Sequence, residues 1–231
     1  MTNLGAALIA RMTSQRLPGK VLTQVEGKPL LAYTLERLQR STLNLEIVVA
    51  TSDESTDDPL EAFADRHGLK CIRGPLDDVA GRFLKVTEAL GLEGVFRVNG
   101  DSPLIDLRLF VKAAQTFVDH DVDLVTNVMP RHYPPGISVE LIRSSSFRNV
   151  YEQITDAKDR EHVTRYFYKN PEQFNIVNLR PDKVYPESHF AVDDPCDLQR
   201  FRQRVQLMEQ PHWEYSLDDI FALEKKDISR G

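Results

Sequence analysis

The stretch Ala6-Ala7-Leu8-Ile9-Ala10-Arg11-Met12-Thr13-Ser14-Gln15-Arg16-Leu17-Pro18-Gly19-Lys20 decides the fold class. Its first five residues are continuously apolar, as in a parallel strand covered on both faces. Arg11 emerges at the carboxyl end of that strand, and the polar loop after it combines Ser14 and Gly19 with the cations Arg11, Arg16 and Lys20. In open α/β sheets ligands bind at this edge, where backbone N–H groups and cations together hold a polyanion. The size and charge of the loop suit a triphosphate. It is neither a Walker A sequence nor a Gly-x-Gly-x-x-Gly turn, so those two fingerprints are absent. On its own the stretch is equally compatible with a solvated basic loop.

Outward from this loop, strand-like runs at Leu4–Ala10, Glu46–Thr51, Leu69–Ile72, Gly94–Val98 and Asp123–Val128 alternate with helical patterns. The helices are expected at Pro29–Arg40, Leu60–His67, Val79–Leu90 and Arg108–His120. Such alternation implies right-handed βαβ crossovers and an α/β, three-layer αβα fold with a mostly parallel central sheet. After Met129 the pattern changes: Pro130, Pro134, Pro135 and Gly136 crowd a loop leading into an expected strand at Ile137–Ile142. Helices at Ser146–Ile154 and Arg160–Lys169, strands at Phe174–Leu179 and His189–Val192, and helices at Leu198–Met208 and Leu217–Lys225 complete the expectation. Residues 1–231 read as a single domain, with a nucleotide-binding half, 1–128, and a half for the second substrate and dimerisation, 129–231.

With 231 residues, 41% of them hydrophobic, the chain can bury a real core. A formal net charge of -6 disfavours a nucleic-acid binder, so the basic loop points to a small anion. Cys71 and Cys196 lie far apart without a Cys-x-x-Cys spacing, which suggests neither a disulfide framework nor zinc and fits a cytoplasmic protein. Neither an export signal nor an apolar run of the ~20 residues needed to span a bilayer is visible, so no membrane partner is expected.

Two further strands end in carboxylates. Val95-Phe96-Arg97-Val98-Asn99-Gly100 delivers Asp101, and Phe190-Ala191-Val192 delivers Asp193. One or two carboxylates beside phosphate oxygens suffice to begin a Mg²⁺ site. Asp101 is equally suited to capping the helix after Pro103, and Asp194, preceding Pro195, is better suited to capping than to metal binding.

These motifs carry a family resemblance. Ala10-Arg11-Met12, Arg16-Leu17-Pro18-Gly19-Lys20, Gly27-Lys28-Pro29-Leu30, Gly100-Asp101-Ser102-Pro103-Leu104-Ile105-Asp106, Glu161-His162-Val163-Thr164 and Val192-Asp193-Asp194-Pro195 together resemble the cytidylyltransferases of the spore-coat polysaccharide SpsF group. Their relatives activate 3-deoxy-manno-octulosonate and acylneuraminates. The resemblance implies a nucleotide-sugar-transferase (GT-A-like, Rossmann-like) fold with a small substrate or dimerisation arm, CTP as co-substrate, Mg²⁺ as cofactor and a homodimer. It implies transfer of CMP from CTP to a sugar hydroxyl, with release of pyrophosphate. It places Arg11, Lys20 and Asp101 in catalysis, with Arg11, Ser14, Arg16, Lys20 and Arg82 on the nucleotide and Asp101 and Asp193 on the metal. For the acceptor its motif points to His162; apart from the resemblance, Tyr133 and Arg131 are further candidates, and Lys158, Arg160 and Arg165 are near enough in sequence to offer an acidic sugar a counter-charge, or equally form a solvated helix face. Thr13 departs from the family, many members carrying Gly there, and a left-handed backbone would strain it. A glycosyltransferase using a nucleotide-diphosphate sugar and a non-catalytic nucleotide-binding subunit are the alternative readings.

Overall fold

The computed structural model describes residues 3–228. Its central sheet is built from β1 (Leu4–Ile9), β4 (Glu46–Ser52), β5 (Lys70–Gly74), β6 (Gly94–Asn99), β7 (Leu124–Thr126), β8 (Glu140–Arg143) and β9 (Ile176–Asn178) in the order β5-β4-β1-β6-β8-β7-β9. β8 alone among these runs against its neighbours. A separate small hairpin pairs β2 (Gln24–Val25) with β3 (Lys28–Pro29). The helices are α1 (Leu30–Gln39), α2 (Asp58–Arg66), α3 (Val79–Leu90), α4 (Leu107–Asp119), α5 (Ser144–Gln153), α6 (Ala157–Glu161), α7 (Arg165–Lys169), α8 (Pro195–Gln206) and α9 (Leu217–Ile228).

The apolar run of β1 divides between two cores because alternate strand residues face opposite ways. Ala6 and Leu8 enter a cluster with Leu35 of α1, Phe110 of α4 and Phe201 of α8. Ala7 enters the opposite cluster with Phe83 of α3, Phe147 of α5 and Phe167 of α7. This is the three-layer arrangement expected from the alternation of strands and helices.

Three elements differ from expectation. His189–Val192 is not a sheet strand: Phe190 N–H donates to the Pro135 carbonyl at 2.8 Å and Val192 N–H to the Asp101 carbonyl at 2.8 Å, so loops take up its backbone donors. The expected helix over Arg160–Lys169 is interrupted between α6 and α7, and His162 in the gap has extended backbone angles. The Pro-rich excursion enters β8 only at Glu140, because Asn127 meets the preceding backbone with its side chain, donating to the Ile137 carbonyl at 2.7 Å and accepting from Val139 N–H at 2.9 Å.

α1 fixes the loop that follows β6. Thr34 Oγ1 donates to the Ser102 carbonyl at 3.2 Å, and the buried Arg37 donates to the carbonyls of Ile105 at 2.8 Å and Tyr215 at 3.0 Å. Among the described residues no helix is long and apolar enough to cross a membrane.

Candidate active site

β1 lies between β4 and β6, so the chain order reverses at the β1–β6 pair. At such a switch point the loops leaving neighbouring parallel strands diverge and open a crevice. Ile9 is paired with Asn99 in register, and Gly100 N–H donates to the Ile9 carbonyl at 2.8 Å, so the Arg11 loop and the Asp101 loop start side by side. Between them opens a cleft of about 450 Å³. Arg11, Ser14, Arg16 and Lys20 line one side, while Asp101, Asp193, Arg82 and His162 also contribute to its walls.

The first loop is held in shape from beneath. Met12 N–H donates to Oδ1 of the buried Asp57 at 2.7 Å, while Asp57 Oδ2 accepts from Thr51 Oγ1 at 2.9 Å and from Ser52 N–H at 3.1 Å. Burial works against ionisation of Asp57, yet hydrogen bonds from Ser52, Met12 and Thr51 hold its carboxyl below the ordinary value. Gly19 N–H closes back on the Met12 carbonyl at 2.9 Å, and Gly19, at φ 72°, makes the left-handed turn into the short 3₁₀ helix Lys20–Leu22. The left-handed position is therefore Gly19; Thr13 is not among the positive-φ residues and carries no such strain.

Lys20 is 8% exposed, and its Nζ donates to Asp101 Oδ2 at 2.8 Å and to Asp193 Oδ1 at 3.1 Å. Arg16 Nη2 lies 3.2 Å from the same Asp193 oxygen, and His189 Nε2 lies 3.4 Å from the other. Burial alone raises the Asp193 pKa, but the Lys20 ammonium and then Arg16 hold it below the ordinary aspartate value. Arg11 is exposed at the cleft and makes no ion pair among the described residues. The carboxylates of Asp101 and Asp193 therefore converge on one cation from two different loops. Their hard oxygen donors are of the type that suits Mg²⁺.

Capping is assigned elsewhere. Asp106 caps α4, accepting from Arg108 N–H at 2.9 Å, which leaves the Asp101 carboxylate facing the cleft. Asp194 caps α8 in a reciprocal box with Asp197.

Not every sequence-derived residue faces the cleft. Tyr133 is buried in the core with its ring 5.5 Å from that of Tyr185 and lines neither the cleft nor the groove beside it. Arg160 is drawn away by Tyr151 Oη at 2.8 Å and Asp78 Oδ2 at 3.3 Å. Arg82 does line the cleft, but it is 1% exposed and donates to the Leu76 carbonyl at 2.9 Å, so it is first a strut for the loop before α3. Glu161 and His162 close one helix rather than opening another, and both line the cleft.

Sequence reasoning missed Asp57, Arg97, Asn99 and Glu140. Arg97 and Asn99 were legible as polar residues two apart on one face of an apolar strand, and both line the cleft. Glu140 gave no signal. It is 3% exposed and takes hydrogen bonds from Arg97 Nη1 at 2.5 Å, Thr164 Oγ1 at 2.6 Å and Tyr168 Oη at 2.6 Å. Burial opposes its ionisation, while Arg97, Thr164 and Tyr168 hold its pKa below the ordinary value. Because the folded-state value is the lower one, Glu140 stabilises the fold fully above the usual glutamate range of about pH 4.3, and the contribution is lost as pH falls below it. Glu140→Gln is expected to cost about 3 kcal/mol at pH 7 by stranding Arg97. Its stability, measured by denaturant titration from pH 7 to 3, should fall less steeply with acid than that of the wild type; parallel curves would contradict this role.

Residues 6–227 match the family model described as cytidylyltransferase. The spore coat polysaccharide biosynthesis protein SpsF of Bacillus subtilis is 30% identical over 204 residues, 85% of this chain and 84% of that one. The chain belongs to the cytidylyltransferase family. This cytidylyltransferase is also similar to the 3-deoxy-manno-octulosonate cytidylyltransferase of Geobacter sulfurreducens, at 27% identity over 74% of this chain and 64% of that one. Among solved structures, a cytidylyltransferase from Leptospira borgpetersenii superposes with a TM-score of 0.93 at 26% identity, covering 99% of this chain and 96% of that one. The likeness extends along nearly the whole chain and so takes in the Arg11 loop, the Asp101 loop and the segment that delivers Asp193.

Proposed function

We propose that this cytidylyltransferase binds CTP in the cleft between the Arg11 and Asp101 loops and transfers CMP to a hydroxyl of an acidic sugar. The observation that carries this reading is the meeting of the phosphate-sized cationic loop with two carboxylates through Lys20. The acceptor hydroxyl attacks the α-phosphorus, the bond to the bridging oxygen breaks, and pyrophosphate leaves. Arg11, Arg16 and Lys20 neutralise the charge that builds on the departing phosphates, while Ser14 borders the same space. Asp101 and Asp193 would hold Mg²⁺, which when bound would supply charge neutralisation and make the attacking hydroxyl more acidic, its proton passing to solvent. Little covalent chemistry falls to the protein, so positioning and charge supply most of the rate.

An adjoining groove of about 330 Å³ shares Arg97, Asn99 and His162 with the cleft. Arg131, turned onto Ser138 Oγ at 3.2 Å and without a carboxylate partner among the described residues, adds positive charge there, whereas Arg165 is taken up by Asp156 at 3.1 Å and by Asp159. Arginines suit a carboxylate through their paired donors. The groove thus supports an acidic acceptor, in keeping with the 3-deoxy-manno-octulosonate named for the Geobacter relative. In this reading residues 1–128 hold the nucleotide and 129–231 the acceptor. Assembly as a homodimer belongs to the same reading and is checked by light scattering.

The test is pyrophosphate release from CTP and Mg²⁺ across a panel of eight- and nine-carbon sugar acids and neutral sugars. Turnover with at least one sugar acid and none with neutral sugars is expected. Turnover confined to neutral sugars would remove the acidic-acceptor reading, and binding of CTP without release for any acceptor would favour a non-catalytic subunit.

A further inference from the structure

We propose that the Lys20 ammonium is a placeholder for the divalent cation, so that metal enters between Asp101 and Asp193 only once a nucleotide has drawn Lys20 away. The proposal rests on the nucleotide reading above and deepens it by assigning an order of binding.

Without nucleotide, the pair Asp101 and Asp193 faces an equal number of cations, since Lys20 Nζ bridges them at 2.8 and 3.1 Å and Arg16 Nη2 adds a contact of 3.2 Å to Asp193. Four unit charges therefore cancel, and an arriving dication meets no net attraction. It must also expel an ammonium that is mostly buried and already satisfies one oxygen of each carboxylate. Mg²⁺ gives up its own water reluctantly and has little to gain by that exchange.

A triphosphate changes the balance. It brings anionic oxygens into the cleft that Arg11, Arg16 and Lys20 already line. The lysine stem is long and flexible, so its head can turn from carboxylate to phosphate without backbone movement. The backbone stays where Gly19 and the 3₁₀ turn hold it. Once Lys20 and Arg16 have turned, the two carboxylates are left with their negative charge beside phosphate oxygens, a donor set suited to Mg²⁺. By linkage, the metal must strengthen nucleotide binding by the same factor with which the nucleotide strengthens metal binding.

The test uses Mn²⁺ as the probe and reads bound against free ion by electron paramagnetic resonance on the full chain. Without nucleotide, Lys20→Met is expected to bind Mn²⁺ more tightly than the wild type by a factor of about 10 to 100, the usual span of such couplings. CTP should raise the affinity of the wild type by a comparable factor and that of Lys20→Met by much less. Wild type binding Mn²⁺ without nucleotide as tightly as Lys20→Met would overturn the proposal. Should Lys20→Met fail to fold, Arg16→Gln alters a largely exposed side chain and removes one of the two cations on Asp193 Oδ1. It should tighten nucleotide-free binding by about 3-fold, a smaller share of the same coupling, and no change would again overturn the proposal. If Lys20→Met binds Mn²⁺ tightly while CTP leaves the wild type unaffected, the placeholder stands and the CTP reading falls.

Discussion

Asp101→Asn should lower kcat for CMP transfer by about 10²–10³-fold, the usual consequence of deleting one preorganised electrostatic contact to a transition state. The substitution keeps the shape of the side chain and removes its charge. Among the described residues the carboxylate has two hydrogen-bond partners, Lys20 Nζ at 2.8 Å and Ser102 Oγ at 3.4 Å, and neither needs it to hold the loop. Thr34 and Arg37 fix that loop through backbone carbonyls instead. The side chain is 28% exposed, so solvent screens the ion pair and its loss should move stability by about 1 kcal/mol or less. Steady-state pyrophosphate release together with a thermal melt separates the two effects. Turnover within about 3-fold of the wild type in a folded variant, far below the usual loss for such a contact, would remove Asp101 from the metal site.

Gly136→Ala should be the most damaging substitution outside the cleft. Gly136 sits at φ 90°, where a side chain is strained, and an added Cβ would lie 2.2 Å from the Ala191 backbone nitrogen and 2.3 Å from the Phe190 carbonyl carbon. Both neighbours are backbone, so no rotamer change relieves the clash. The strand-less segment carrying them hangs on hydrogen bonds from Phe190 N–H to Pro135 and from Val192 N–H to Asp101. Moving it by even an ångström carries Asp193 away from Asp101 and Lys20. Strain and overpacking together should cost about 3–4 kcal/mol. In a chain of this size that is a fall of roughly 6–16 °C in thermal midpoint. CMP transfer should fall even where the protein remains folded, and a melt within 2 °C of the wild type with full activity would contradict the close approach.

The nucleotide half was the more legible part of the chain, for a physical reason. β1, β4 and β6 are buried on both faces, so their apolar runs stand out, and each ends where a polar loop begins. The convergence of Asp101 and Asp193 was suggested by the same design appearing twice, an apolar run ending in a carboxylate. The second run proved to be a loop segment that borrows its hydrogen bonds from Pro135 and Asp101, a long-range pairing that no local pattern encodes. Tyr133 and Arg160, expected beside the acceptor, lie outside the cleft lining because their side chains are taken up by partners distant in sequence, Tyr185 for the first and Asp78 for the second. Asp57 and Glu140 escaped notice for a similar reason. A buried carboxylate that braces a loop looks in sequence like any surface acid, and only the donors gathered around it reveal its role.

The most direct measurement is a thermal melt of the wild type with CTP, UTP, ATP and GTP, each with and without Mg²⁺. A ligand that binds only the folded state at 100 times its Kd adds about 2.7 kcal/mol of stability. The account predicts a rise of roughly 5–10 °C with CTP and Mg²⁺ together, a smaller one with CTP alone, and little with the other nucleotides. No shift with CTP, or equal shifts with all four nucleotides, would contradict the claim that the cleft between the Arg11 and Asp101 loops is a metal-assisted CTP site.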